Sequence, residues 1–336
     1  MAKLDAEALA AALRLPPGAS IAGLQRMSGG ASQETWAFDI VRGEQREPRI
    51  LRRAVGDRQG SSLGGPAIDL ATEAELIRRA AQAGVPVPEV TQVLNPADGL
   101  GAGFVMTRID GETIPRKILR EPRLAPARSR LARQCGEIAA HIHAIPLACL
   151  PELPRSGATA QLDQLGAIYD AFDHPHPVFE IALRWLRDHA PPQDRTALVH
   201  GDFRNGNLIV AEEGVRAVLD WELSHLGDPL EDLGWICVGS WRFGANDRPV
   251  GGFGQREELF AGYQAAGGGA VDAEVVRYWE IFGTLKWGII CMMMYGAYRS
   301  GLDRSVERAA IGRRASETEL DLLALLTPRG NAEPEA

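Results

Sequence analysis

The chain has 336 residues, of which 45% are hydrophobic and 24% are charged. A chain of this length can bury a core without disulfides or metals, and it has room for two lobes. Acidic side chains outnumber basic ones by 44 to 36, a formal net charge of −8, whereas a nucleic-acid-binding surface needs concentrated positive charge. The composition therefore argues against a nucleic-acid partner.

Cysteine usage and hydropathy indicate the cellular compartment in which the protein is expected. The four cysteines form no Cys-x-x-Cys pair, so neither a zinc site nor a disulfide framework is predicted. Residues 1–15 lack the basic start and apolar block of a secretory signal. The apolar run at residues 287–298 is shorter than the roughly 20 residues that span a bilayer. We therefore expect a cytoplasmic protein that is not inserted in a membrane.

Short strand-like segments and turns occupy the first third of the chain. Residues 36–40 and 49–52 predict two strands joined by a charged hairpin, and residues 90–94 and 104–107 predict two more. Between these pairs, an apolar stripe over residues 69–83 predicts an amphipathic helix. This part is therefore expected to be a small antiparallel sheet with one helix.

The pattern changes after Asp110, where helical periodicity becomes dominant and short strands are expected only near Leu208 and Val218. The predicted helices cover residues 126–144, 179–189, 256–266, 273–298 and 306–326. We place a boundary here, with residues 1–109 as an N-terminal lobe and residues 110–336 as a C-terminal lobe. The sequence thus predicts an α+β fold with a small sheet lobe and a larger, mainly helical lobe.

Polar residues that could take part in catalysis are concentrated near residues 200–207. This segment reads His-Gly-Asp-Phe-Arg-Asn-Gly-Asn and lies between two apolar segments. A further apolar segment ends at Asp220, so loops at strand ends bring Asp202, Asn207 and Asp220 together. Phosphoryl transfer uses such a set, because its catalysis is mostly positioning and charge neutralisation. Amide and carboxylate oxygens also suit Mg²⁺. Without Asp220 behind them, Asp202 and Asn207 would be ordinary turn residues.

Three short motifs resemble a known family. His-Gly-Asp-x-x-x-x-Asn at residues 200–207 is followed by Leu-Asp-Trp-Glu at 219–222 and Leu-Gly-Asp-Pro at 226–229. This order resembles the aminoglycoside phosphotransferase superfamily, whose members are relatives of protein and choline kinases. The likeness is greatest to the branch of kinase-like domains fused or adjacent to acyl-CoA dehydrogenases, and it covers nearly the whole chain. It implies a two-lobed, protein-kinase-like fold and transfer of the γ-phosphate of ATP to a small-molecule hydroxyl with Mg²⁺.

The resemblance also implies roles for single residues. Asp202 would be the catalytic base, and Asn207 and Asp220 would be the magnesium ligands. We name residues 200–207 the catalytic loop, and we expect His200 to brace it by hydrogen bonding. Two more acids, at positions 228 and 232, would either anchor this loop or be ordinary solvated carboxylates.

Nucleotide binding would fall to the N-terminal lobe. Residues 27–35 form a turn of small residues that resembles the nucleotide-covering loop of the family, although an ordinary hairpin turn would have a similar composition. The residues expected near the phosphates are Ser28, Gly29, Gly30 and Ser32.

One position departs from the family pattern. Arg52 stands where the superfamily usually has the lysine that contacts the α- and β-phosphates, and Glu73 stands where its helical glutamate partner belongs. Arginine keeps the charge and suits phosphate, but the change leaves open a role for Arg53, a surface charge, or a nucleotide-binding pseudokinase. Backbone groups of Thr107 and Ile109 match the hinge that would pair with adenine.

The acceptor is less defined than the reaction. The branch likeness favours a hydroxylated acyl thioester or another lipid-like metabolite, with Trp241, Trp287 and Tyr295 on the C-terminal helices as candidate lining residues. A cationic aminoglycoside is the alternative acceptor, and it would need a cluster of acids around its pocket. The sequence predicts no oligomeric state.

Overall fold

The structure is a computed structural model that describes residues 4–27, 33–54, 68–192 and 195–327. The four residues predicted to lie near the phosphates in the turn, Ser28, Gly29, Gly30 and Ser32, fall outside the described residues.

The N-terminal part is an antiparallel sheet of five strands with a helix on each side. The strands are β1 (Ala19–Arg26), β2 (Gln33–Arg42), β3 (Gln45–Ala54), β4 (Val90–Val93) and β5 (Gly103–Thr107). The helices are α1 (Ala6–Ala12) and α2 (Leu70–Gln82). The strand order is β1-β2-β3-β5-β4, and the four predicted strands correspond to β2, β3, β4 and β5.

Side-chain alternation explains why both faces of this sheet are covered. Successive residues of a strand point to opposite faces. Leu51 and Val105 pack in the cluster that includes α1, whereas their neighbours Ile50, Phe104 and Met106 pack in the cluster that includes α2. The first cluster lies on the outer side of the sheet, and the second continues into the C-terminal part of the chain.

The C-terminal part is mainly helical. Its helices are α3 (Pro115–Arg120), α4 (Ala125–His143), α5 (Ala158–Asp170), α6 (Pro177–Asp188), α7 (Leu230–Trp235), α8 (Arg256–Ala265), α9 (Ala273–Arg299), α10 (Val306–Gly312) and α11 (Ala315–Leu326). Its short strands are β6 (Ala197–Val199), β7 (Leu208–Ala211), β8 (Gly214–Val218) and β9 (His225–Gly227). These strands form two antiparallel pairs, β6 with β9 and β7 with β8.

The predicted α+β class, a small antiparallel sheet followed by a larger helical part, is confirmed. Four predicted helices correspond to α4, α6, α8 and α9. The single helix predicted over residues 306–326 is wrong, because the chain turns between α10 and α11, where the Arg314 amide donates to the Ile311 carbonyl at 2.9 Å. The predicted boundary at residues 109 and 110 falls in the connection between β5 and α3. Along the described ranges, we find no helix that is both long and apolar enough to cross a membrane.

Candidate active site

Two loops meet at the ends of the short C-terminal strands. The catalytic loop follows β6 directly, and Asp220 lies two residues beyond the end of β8. β7, which follows the catalytic loop, pairs with β8, and the Leu219 amide donates to the Asn207 carbonyl at 2.8 Å. This pairing holds Asp220 beside the catalytic loop, as the sequence predicted for these two segments.

Asp202 is buried and accepts hydrogen bonds on both carboxylate oxygens. Its Oδ1 accepts from Arg204 Nε at 2.9 Å and from Trp235 Nε1 at 2.8 Å, and its Oδ2 accepts from Asn207 Nδ2 at 2.6 Å. A carboxylate offers about four acceptor positions, so one position on Oδ2 remains for a further donor. Sequence reasoning missed both Arg204, although it lies within the motif, and Trp235, which comes from α7.

His200 connects the two loops through its imidazole ring. Nε2 donates to the Leu219 carbonyl at 3.1 Å, and Nδ1 accepts from the Asp202 amide at 3.2 Å. Burial holds the pKa of His200 below its ordinary value, even though the nearby Asp232 carboxylate acts in the opposite direction. The neutral ring, with its proton on Nε2, satisfies both hydrogen bonds, and this geometry suits the bracing role expected for it.

Asp232 holds the start of the catalytic loop. Its two carboxylate oxygens accept from the backbone amides of His200 at 2.8 Å and Gly201 at 3.0 Å. His143 Nε2 also lies 3.0 Å from Oδ2. Burial by itself would raise the pKa of Asp232, but the hydrogen bond and charge of His143 hold it below the ordinary value. This buried carboxylate is therefore paired with His143 and hydrogen-bonded to the backbone of the catalytic loop.

Asp228 occupies a different environment. It accepts from the Leu230 amide at 2.9 Å and from Trp279 Nε1 at 2.9 Å, so it ties the start of α7 to α9. Burial raises its pKa. Of the two acids predicted as possible anchors, only the one at position 232 hydrogen-bonds to the catalytic loop among the residues that the structure describes.

Arg52 and Arg53 point in opposite directions because they are successive residues of β3. The Arg52 guanidinium lies 2.6 Å from Glu73 of α2 and 2.9 Å from Asp220, bridging the sheet to the loop after β8. Arg53 instead pairs with Glu34 of β2 at 2.8 Å. The geometry therefore brings Arg52, and not Arg53, to Asp220, one of the two predicted magnesium ligands.

Asn207 and Asp220 offer oxygen atoms of the kind that Mg²⁺ prefers. The Asn207 Nδ2 group donates to Asp202, which leaves the amide oxygen as the available ligand atom. Asp220 has a φ of 67°, in the left-handed region that non-glycine residues rarely adopt, and such strain is concentrated at functional sites. Because Mg²⁺ usually takes one or two protein oxygens together with substrate phosphates, this donor set fits the ion.

The predicted hinge lies at the end of β5. The Thr107 amide donates to the Glu89 carbonyl at 2.9 Å, and the Thr107 hydroxyl accepts from the Glu89 amide at 3.0 Å. The amide of Thr107 is thus engaged, and an adenine contact at this residue is limited to its carbonyl. Ile109 lies in the connection that follows, and its adenine contact stays a prediction.

The three aromatic residues predicted to line an acceptor site are not all in one place. Trp241 and Trp287 are neighbours with ring centroids 4.9 Å apart, and the Arg204 guanidinium lies 4.4 Å from the Trp241 ring. This pair therefore lies beside the catalytic loop. Tyr295 is half-exposed and lines a separate cavity of about 500 Å³ near the end of α9.

Comparison with known proteins identifies the family. The model of the phosphotransferase enzyme family matches residues 23–268. The chain belongs to this family. The resemblance drawn from the three motifs is thereby confirmed.

Curated relatives contain the match within longer proteins. Acyl-CoA dehydrogenase family member 10 of Mus musculus is 34% identical over 177 residues, which are 49% of this chain and 16% of that protein. Acyl-CoA dehydrogenase family member 11 of Gallus gallus is 35% identical over 163 residues, which are 46% of this chain and 21% of that protein. The chain thus matches a small part of each relative, in agreement with the predicted branch.

Solved structures identify the fold. A proposed aminoglycoside phosphotransferase of Ralstonia eutropha has a TM-score of 0.74 and 22% identity, with 96% of this chain and 98% of that one covered. A spectinomycin phosphotransferase in complex with ADP and spectinomycin has a TM-score of 0.65 and 16% identity, with 96% and 99% covered. The predicted kinase-like fold is therefore confirmed.

Proposed function

We propose that the chain is an ATP- and magnesium-dependent O-phosphotransferase that moves the γ-phosphate of ATP to a hydroxyl of a small molecule. The observation that supports this most directly is the convergence of Asp202, Asn207, Asp220 and Arg52 within a connected set of contacts. This set combines a proton acceptor, two oxygen ligands and a cation, which are the components that phosphoryl transfer requires.

In this proposal Asp202 orients the acceptor hydroxyl through the remaining position on Oδ2. Arg204, Trp235 and Asn207 fix the carboxylate, so its direction is set before the acceptor arrives. As the acceptor oxygen forms its bond to the γ-phosphorus, its proton passes to Asp202. The bond between that phosphorus and the β–γ bridging oxygen breaks, and its electron pair leaves with ADP.

Asn207 and Asp220 would hold Mg²⁺ in this scheme. When bound, the ion supplies positive charge against the triphosphate and keeps it in line with the acceptor. Arg52 adds a second positive charge next to Asp220, and its planar guanidinium suits phosphate oxygens. The buried His200 and Asp232 keep the catalytic loop in place without contacting the reactants.

For the acceptor we propose a hydroxyacyl-CoA or a similar lipid-like metabolite. The names of the mouse and chicken relatives, both acyl-CoA dehydrogenase family members, support this class. An aminoglycoside is the second candidate, supported by the spectinomycin bound to one structural neighbour. A pseudokinase is the third, and the arginine at position 52 is the feature that favours it.

The test is magnesium-dependent transfer of labelled γ-phosphate to a panel of hydroxyacyl-CoAs, aminoglycosides and macrolides. Asp202→Asn should lower kcat by at least about 100-fold, because a positioned general base contributes roughly 10²–10⁴ to the rate. ATP binding should persist in this variant, since Asp202 is not among the proposed phosphate contacts.

Asp228→Asn is the matched control, because it makes the same chemical change at a half-buried acid that does not contact the catalytic loop. It should retain transfer. Near-normal transfer by Asp202→Asn would disprove the assigned role. Saturable ATP binding without turnover on any acceptor would favour the pseudokinase.

A further inference from the structure

A small cavity of about 80 Å³ lies between α5, α9 and the segment that follows Asp220. Its walls combine apolar and polar side chains, among them Gln161, Leu165, Leu223, His225, Phe282 and Lys286. Leu223 belongs to the stretch between Asp220 and β9, and His225 is the first residue of β9. The cavity is therefore built partly from the chain that supplies the proposed magnesium ligand.

Lys286 is linked to Asp202 through a single aromatic ring. Its Nζ lies 5.0 Å from the centroid of Trp235, and the indole Nε1 of the same residue donates to Asp202 Oδ1 at 2.8 Å. The ammonium thus lies one indole away from the proposed catalytic base. A ligand reaching from Asp202 past this ring would bring a polar group to Lys286.

The acidic side chains near this cavity have hydrogen-bond or ion-pair partners, whereas Lys286 lacks an acidic partner within the described ranges. Glu231 accepts from Gln161 at 2.7 Å and lies 3.1 Å from His225. Glu280, which lies on α9 as Lys286 does, is held by two arginines at 2.7 and 2.6 Å. Lys286 is half-buried, yet it forms no ion pair within 4.0 Å with any residue that the structure describes. Its cation–π contact with Trp235 offsets only part of the unfavourable burial of the charge, and an anionic ligand would supply the missing ion pair.

The geometry points to Lys286 as the residue that binds an anionic oxygen group of the acceptor, either a carboxylate or a phosphate. This inference rests on the proposed function and specifies its substrate: a hydroxylated molecule with an apolar body and a negative group. Leu165, Leu223 and Phe282 suit the apolar body. A cationic aminoglycoside would meet the ammonium instead of an acid and is disfavoured.

Lysine acylation tests this inference without any turnover. The sequence has three lysines, Lys3, Lys117 and Lys286, so mass spectrometry can follow each one after brief treatment with an acetylating ester. The probes are 4-hydroxydecanoate, its CoA thioester, and the uncharged 1,4-decanediol. An anionic probe should slow acetylation of Lys286 and leave Lys117 unchanged. Lys117 is a suitable internal control because it lies on α3, where its side chain is 53% exposed and pairs with Glu112.

Kinetics on the most active acceptor provide the second readout. Lys286→Gln should raise KM for the anionic acceptor about tenfold, the equivalent of one charge-assisted hydrogen bond, with a smaller change in kcat. Lys286→Arg should restore most of the affinity because it keeps the charge. KM for the matched uncharged alcohol should be the same in all three proteins, and Lys117→Gln should behave as the unmodified chain.

The outcomes separate the inference from the proposed function. Protection of Lys286 by the free acid identifies a carboxylate as the bound group, and protection by the CoA thioester alone identifies a phosphate. Absence of protection by both anions overturns the inference. So does transfer to a cationic aminoglycoside that is unaffected by Lys286→Gln, and in that case the phosphotransferase proposal stands. Failure of transfer on all acceptors, with Lys286 still protected, counts against the phosphotransferase alone.

Discussion

Arg52 contacts two carboxylates that belong to different parts of the fold, Glu73 on α2 and Asp220 beside the catalytic loop. A lysine ammonium is a point charge on a flexible chain, whereas the planar guanidinium has donors spaced to reach two acceptors at once. The arginine therefore preserves the helix contact that the family glutamate normally makes with lysine. Its second contact keeps positive charge next to Asp220, the proposed magnesium ligand.

The two adjacent arginines allow a controlled test of nucleotide binding. Arg52→Ala should weaken MgATP binding by about tenfold or more, because it removes a charged hydrogen-bond donor worth roughly 1.5–3 kcal/mol. Arg53→Ala should leave the dissociation constant unchanged, since Arg53 and its partner Glu34 lie on the face of the sheet opposite to Arg52. Isothermal titration calorimetry with a non-hydrolysable ATP analogue measures both constants.

Stability must be followed in the same variants. Arg52→Ala leaves the fully buried Glu73 without its cation, so the variant should also unfold at a lower temperature. Titrations are therefore made well below that temperature. A loss of affinity confined to Arg53→Ala would show that the neighbouring arginine fills the family's lysine role.

Helices α4 and α8 approach so closely that each has a glycine at the contact. A Cβ atom on Gly136 would lie 2.0 Å from the Leu259 carbonyl oxygen, and one on Gly262 would lie 2.1 Å from the Arg133 carbonyl oxygen. This approach also fixes His143, at the end of α4, against Asp232. The position of α4 is thus coupled to the catalytic loop through one buried pair.

Gly136→Ala should destabilise the protein, because the added methyl group meets backbone and not a movable side chain. Overpacking of this kind typically costs about 1–3 kcal/mol. Gly296→Ala on α9 is the matched control, since its Cβ would have an ordinary 3.5 Å contact with Phe172 and alanine favours a helix by about 1 kcal/mol. Urea unfolding of both variants gives the free energies. Equal or greater stability of Gly136→Ala would show that the two helices can separate without cost.

Long helices were predicted well because their apolar spacing extends over several turns, as in α4 and α9. Short α3 and α7 have six residues each, too few for periodicity to show. α5 was missed although Leu162, Leu165 and Tyr169 follow helical spacing. The break between α10 and α11 depends on tertiary packing, because Gly312 lies against the backbone of Tyr295.

The candidate site likewise has a part that local sequence spacing predicts and a part that depends on tertiary packing. Asp202 and Asn207 are close in sequence, and Asp220 follows the adjacent strand, so local spacing was sufficient to predict their proximity. Trp235 and Lys286 reach the site from α7 and α9, and no spacing rule relates those helices to the catalytic loop. A partial signal existed for Lys286, since it is one of three lysines and lies in an apolar helix.

The sheet and the helical part of the molecule share one buried hydrophobic cluster. Ile50 and Phe104 of the sheet belong to the same cluster as Leu131 of α4 and Val218 of β8. Backbone hydrogen bonds also cross between the two parts, including the Val218 amide to the Pro86 carbonyl at 2.8 Å. The α2 face of the sheet would lose its apolar cover if the helical part were absent.

We therefore expect the chain to unfold as one cooperative unit. Differential scanning calorimetry should give a single transition whose van 't Hoff and calorimetric enthalpies agree, because the core does not divide at residues 109 and 110. A fragment of residues 1–109 should lack a cooperative transition, since it would expose Ile50, Phe104 and the apolar face of α2 to water. Trp36 is the sole tryptophan before residue 110, so the Trp36→Phe variant isolates its fluorescence by difference. Two separate transitions, with Trp36 reporting only one of them, would instead show that the two lobes fold independently.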